Sequence, residues 1–186
     1  VIKFLILILE NIKRREATDL SFKIRNRISR AFNRALKNDG SSKNGKSFFE
    51  YVNYSLNELY AHFEKQLKLS SWMTRDNYGV YDVKTWDDND LRTWTWQVDH
   101  IIPKSMFDHS DPEGKDVVQC WSLRNLRPMS AKQNYLEGLY RERHTEEWKQ
   151  QMIAQWERED EGRDSGDLDG SSSAPTVIGT QGVSIV

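Results

Sequence analysis

Apolar residues recur at three- and four-residue spacing through Leu20, Ile24, Ile28, Ala31, Phe32 and Ala35. That period predicts an amphipathic helix. It runs out in Asn38-Asp39-Gly40-Ser41-Ser42-Lys43-Asn44-Gly45, a turn-rich loop. A second helix is predicted from Ser55, where Ser55 and Glu58 form a capping box ahead of Leu56, Leu59, Phe63 and Leu67. Residues 70–92 mix aromatic and Asp residues without a sustained period and read as a loop laid onto the core. Residues 93–103 are rich in aromatic and β-branched types and end in Pro103, which predicts a strand. A second short strand is expected at residues 121–126, before Pro128. Ser130 and Gln133 repeat the capping box, so a helix should begin near Ala131 and break at Gly138. A last helix is predicted from Thr145 to Trp156. The pattern is that of an α+β chain, with an N-terminal, mainly helical region over 1–92, a strand–strand–helix segment with a closing helix over 93–160, and a tail over 161–186 rich in Gly, Ser and Asp and expected to be disordered.

The longest apolar run, residues 4–9, is far below the roughly 20 residues of a membrane span. It reads as a buried strand or helix end, with the tail of a truncated signal sequence as the alternative. An intracellular, non-membrane protein is therefore expected. The single cysteine, Cys120, excludes an internal disulfide framework and a Cys-rich structural zinc site, and reads as a small core residue. Charge changes the picture more. The formal net charge is −1, yet residues 13–46 carry eleven basic side chains against three acidic ones, and residues 157–169 carry seven acidic against two basic. Arg25, Arg27, Arg30 and Arg34 fall mostly off the apolar stripe of the first helix, and Lys43 and Lys46 follow in the loop. Such a face is either a solvated surface or a surface for a polyanion.

Four residues carry the candidate chemistry: Asp99 and His100 on the first strand, Asn125 near the second, and Asn134 in the first turn of the following helix. Neighbouring side chains on a strand face opposite ways, so Asp99 and His100 cannot simply aim at one atom. A cation-bound phosphate resolves this: Asp99 holds the cation while His100 reaches a water beside the phosphorus. A first-turn side chain leans back towards the strands, so the amide oxygen of Asn134 can be a second ligand. One carboxylate and one amide, completed by water and phosphate, suit a hard ion such as Mg²⁺, with Mn²⁺ as the substitute. Of the other histidines, His62 reads as a packing or surface residue and His144 as part of a helix entry. His109, among Asp108, Ser110 and Asp111, is either a loop residue or part of a second metal site.

Val98-Asp99-His100-Ile101-Ile102-Pro103, then Trp121-Ser122-Leu123-Arg124-Asn125-Leu126-Arg127-Pro128, then Asn134, resembles the HNH nuclease motif, or ββα-metal finger. It is most similar to the variant whose final His is Asn, seen in phage-type homing endonucleases and in the HNH domain of CRISPR effector nucleases. The resemblance is close over residues 93–138. The basic helix, the helix capped at Ser55, and Trp72-Met73-Thr74-Arg75-Asp76-Asn77-Tyr78-Gly79 also look like the N-terminal half of small phage-type HNH proteins. It implies His100 as general base, Asp99 and Asn134 as metal ligands, and Asn125 as the residue that holds the strands and the His in place. It also implies cleavage of DNA to 5′-phosphate and 3′-hydroxyl ends, with double-stranded DNA as the partner of the basic helix and loop, in the cytoplasm of a bacterial or phage-infected cell. Two departures stand out. Gln97 occupies a position where many relatives have His, and Leu136, Glu137 and Gly138 stand where relatives often have a phosphate-holding Lys. Arg124, Arg127, Lys132 or Arg141 would have to serve instead. The competing expectations are a catalytically silent nucleic-acid-binding module on the same scaffold, and RNA as the substrate.

Overall fold

A computed structural model describes residues 2–164. The chain divides into a main unit through Lys149 and a second unit from Gln150. The basic stretch forms α1 (Ile2–Thr18) and α2 (Leu20–Asn38). Asp19 caps α2, its carboxylate accepting from Phe22 N at 3.0 Å. Ile24, Ile28, Phe32 and Leu36 form the buried stripe of α2. The third helix, α3 (Leu56–Leu67), starts at the Ser55–Glu58 capping box and buries Leu59, Phe63 and Leu67. Residues 4–9 lie within α1, and Ile6, Leu7 and Leu9 are 49%, 59% and 57% exposed, so that part of the run is an exposed helix face and not a buried end.

The sheet has two antiparallel strands, β1 (Trp96–His100) and β2 (Leu126–Ser130), with Asp99 opposite Arg127 and His100 opposite Leu126. The loop before β1 lies on the core: Tyr78 is buried and bridges Trp96, with Gly79 N donating to Trp96 O at 3.0 Å. Between the strands runs α4 (Lys115–Cys120), and after them α5 (Ala131–Tyr140). Ser130 caps α5 by accepting from Gln133 N at 3.5 Å. Beneath the sheet, Phe32, Phe48 and Trp121 pack edge-to-face with centroids 5.2–5.7 Å apart. Fully burying one such side chain contributes about 1.5–3 kcal/mol.

Several boundaries differ from those expected. The second strand begins at Leu126, because residues 123–125 turn in a short 3-10 segment that lets Asn125 reach inward. Pro128 is tolerated inside β2 since both strands of a two-stranded sheet are edges. The first strand is shorter than residues 93–103, with residues 91–93 in a turn capped by Asp90. Helix α5 continues through Gly138 to Tyr140 and stops at Arg141, which takes the left-handed conformation at φ 57°. A lone Gly costs only about 1 kcal/mol relative to Ala, too little to end a helix by itself. The last helix, α6 (Glu146–Asp164), runs past Trp156, so Glu161 to Asp164 are helical, and the remainder of the tail lies outside the described residues. No helix among the described residues is long and apolar enough to cross a membrane.

Candidate functional site

Asn125 is fully buried and joins the two halves of the loop between the strands. Its Oδ1 accepts from Ile102 N at 2.7 Å, and its Nδ2 donates to Ile102 O at 3.1 Å and Cys120 O at 2.8 Å. The backbone carbonyl of Asn125 accepts from Ile101 N at 2.9 Å. These bonds fix the chain just after His100. All the amide's polar atoms are occupied, and Asn125 lines none of the cavities described below.

Asp99 and His100 are both 6% exposed. The His100 ring stands edge-on to Trp121, centroids 4.7 Å apart, and its Nε2 is buried without a hydrogen-bond partner. Burial first, then the neighbouring side chains of Lys104, His109 and Arg143, hold the imidazole pKa well below its ordinary value. It is neutral near pH 7 and able to accept a proton. Asp99 is held by two arginines: Arg127 Nε lies 3.0 Å from Oδ2, Arg143 Nη1 3.1 Å from Oδ2, and Arg143 Nη2 3.3 Å from Oδ1. Arg143 also donates to His100 O at 2.7 Å and Ile101 O at 3.0 Å. Asn134 Nδ2 donates to Gln97 Oε1 at 3.3 Å, which gives Gln97 a positioning contact with the candidate ligand.

Two cavities meet at His100. One, of about 270 Å³, is lined by Asp99, His100 and Asn134 together with Glu137, Arg143 and His144. The other, of about 390 Å³, is lined by His100 and Lys104 together with Arg27, Arg30, Arg34 and Tyr78. The three α2 arginines share one helix face because residues three and four apart are neighbours on a helix. Arg25 is exposed and does not line this cavity.

The remaining basic candidates have other partners or places. Lys43 donates to Ser29 Oγ at 3.1 Å, Lys46 pairs with Glu113 at 2.6 Å, and Lys132 holds both oxygens of Asp88 at 2.6 Å. Arg127 is engaged with Asp99, and Arg124 is exposed in the turn before β2. His109 is buried and faces Asp39. Its backbone N–H donates to Asp39 Oδ2 at 2.8 Å, and its Nδ1 lies 3.3 Å from the same oxygen. His62 lies against β2, with Nε2 2.7 Å from Leu126 O. Sequence reasoning missed Arg143 and Lys104. Nothing in the spacing marks Arg143, 44 residues from Asp99, whereas Lys104 directly follows the motif's Pro103.

No family model and no solved structure matches the chain. A relative does exist. The chain is 29% identical over 126 residues to "Uncharacterized protein L426" of Acanthamoeba polyphaga mimivirus, a match covering 68% of this chain and 46% of that protein. The chain thus spans about half the length of the relative it matches.

Whether a divalent cation fits can be judged from the donors. The Asn134 carbonyl oxygen has no donor among the described residues, and Asp99 Oδ1 receives one contact at 3.3 Å. Both side chains line the cavity beside the unpartnered imidazole. No group of three or more His, Cys, Asp or Glu gathers among the described residues. A one-carboxylate, one-amide pair does not require such a group, and it fits a hard cation completed by water and phosphate. The two guanidinium groups on Asp99 oppose a cation there and should make its affinity modest.

Proposed function

We propose that this protein is an HNH-type, metal-dependent DNA endonuclease built on a ββα-metal finger. The observation that carries the reading is the position of His100, where the cavity holding Asp99 and Asn134 meets the arginine-lined cavity of α2. A phosphodiester drawn in by Arg27, Arg30 and Arg34 reaches a neutral buried imidazole on one side and an oxygen-donor pair on the other.

His100 takes a proton from water as the water oxygen bonds to phosphorus, and the bond from phosphorus to the 3′ oxygen breaks. The products are a 5′-phosphate and a 3′-hydroxyl, the latter protonated from solvent. Asp99 and Asn134 would hold the divalent cation, most simply Mg²⁺, which supplies positive charge against the charge growing on the phosphate and the leaving oxygen. Asn125 acts through His100 and not on substrate: it fixes the backbone on which the imidazole is mounted. Arg143 orients Asp99 and ties it to the end of β1.

One observation favours a second reading. Both oxygens of Asp99 are already paired with guanidinium groups, as in a nucleic-acid-binding module that no longer needs a cation. A plasmid-nicking assay with Mg²⁺ or Mn²⁺, with and without chelator, separates the two. Metal-dependent nicking lost in His100→Ala supports the enzyme. Tight DNA binding with no nicking under either metal supports the silent module. The same assay on RNA at equal salt decides the polymer.

A further inference from the structure

Beside the two cavities at His100 lies a third, of about 400 Å³, between the C-terminal end of α2 and the loop after β1. Lys104 is the one side chain that lines all three. Its ammonium makes no hydrogen bond or ion pair among the described residues, while Arg127 and Lys132 are tied to Asp99 and Asp88. Its backbone is held firmly. Asn125 binds Ile102 on both sides, Met106 N donates to Pro103 O at 2.9 Å, and Phe107 N donates to Lys104 O at 3.2 Å. A cation without a partner among the described residues, on a fixed backbone and lining both cavities at the imidazole, is arranged for an anion.

We infer that Lys104 is a further catalytic residue, whose ammonium donates a hydrogen bond to a non-bridging oxygen of the phosphate presented to His100. The inference rests on the nuclease reading for the substrate, and on geometry alone for the place. Negative charge on that oxygen grows as water attacks, so the bond strengthens in the transition state. Lys104 keeps its proton throughout.

The test compares wild type with Lys104→Gln and Lys104→Arg in single-turnover cleavage, alongside urea unfolding. Lys104→Gln should cut about 10²-fold slower with an unchanged unfolding midpoint, and Lys104→Arg should recover most of the rate. A Lys104→Gln rate within about threefold of a cutting wild type overturns the assignment. If wild type leaves DNA intact with both metals, the nuclease reading fails and Lys104 is judged by binding alone. In that case inorganic phosphate is titrated into protein with ¹⁵N-labelled histidine at fixed pH. The His100 ring signals should move saturably in wild type and need about tenfold more phosphate in Lys104→Gln. Equal titrations, or signals that phosphate never moves, refute the contact.

Discussion

Replacing Asn125 with Ala removes three hydrogen bonds at a fully buried position and leaves Ile102 N, Ile102 O and Cys120 O without their partner. Each buried polar group left unmade costs about 1–3 kcal/mol. A water entering the space vacated by the amide would offset part of this. The expected loss is about 3–5 kcal/mol, against total stabilities of about 5–15 kcal/mol for ordinary domains. Urea unfolding followed by tryptophan fluorescence measures it, since Trp121 packs against His100 and follows Cys120 directly in the chain. Asn125→Asp should be worse than Ala near neutral pH, because a carboxylate oxygen would replace the donor that now faces two carbonyls. Its deficit should shrink on acidification, as the carboxyl regains a proton to donate. If Asn125→Ala unfolds within about 1 kcal/mol of wild type and still fails to cut DNA, the brace assignment is wrong and Asn125 takes part in the chemistry.

Other outcomes follow from the same geometry. Asp99→Ala and Asn134→Ala should each lose about 10²-fold or more of metal-dependent cutting while still binding DNA, and retained cutting in either removes that residue from the ligand set. Gln substitutions at Arg27, Arg30 and Arg34 should each lower the slope of log affinity against log salt by about 0.9, with a smaller effect at Arg25. Equal effects at all four would mean that the cavity face is not the DNA path. Arg127→Gln should reduce the Mg²⁺ concentration needed for half-maximal cutting, since a guanidinium 3.0 Å from Asp99 competes with the cation. A higher requirement would show that Arg127 orients the carboxylate for metal. Burial is the first cause that lowers the pKa values of His62 and His144, so both favour the neutral form when folded. The unfolded chain takes up protons near pH 6.5 and the folded chain resists, so this stability is complete above about pH 6.5 and lost as pH falls through the folded values. The urea midpoint should therefore drop between about pH 7.5 and about pH 5.5, and less so in His62→Asn. A flat midpoint contradicts this.

Helices were the legible part of the fold, because α2 and α3 announce themselves through local signals: a regular apolar stripe and side-chain caps one turn apart. The second strand was misplaced because its start is set by Asn125 reaching Ile102, a contact 23 residues away that no local pattern encodes. The same holds for the site. Asp99, His100 and Asn134 could be named from their order along the chain, and all three line one cavity. The pairing of Asp99 with Arg143 could not be named, since it depends on the left-handed turn at Arg141 that brings the chain back across β1. The ion pairs of Lys46 with Glu113 and of Lys132 with Asp88 were equally hidden, since the partners lie 67 and 44 residues away.

Charge placement also sets the direction from which a polyanion can arrive. The α2 face presents Arg27, Arg30 and Arg34 within eight residues, seven helical rises or roughly 10 Å, about three base-pair rises of B-DNA. Beside α5 the loop before β1 carries Asp82, Asp87, Asp88 and Asp90, of which Asp88 already binds Lys132. A duplex approaching along α5 would meet those carboxylates, whereas one laid along α2 meets guanidinium groups and reaches His100 from the side where Lys104 stands. The overall charge of −1 averages these two faces away. Reversing the contrast tests this: Asp87→Asn with Asp90→Asn should leave the salt slope of DNA binding unchanged, because the proposed path along α2 brings no phosphate over that loop. A steeper slope in the double variant would place the strand along α5 and move the DNA path off α2.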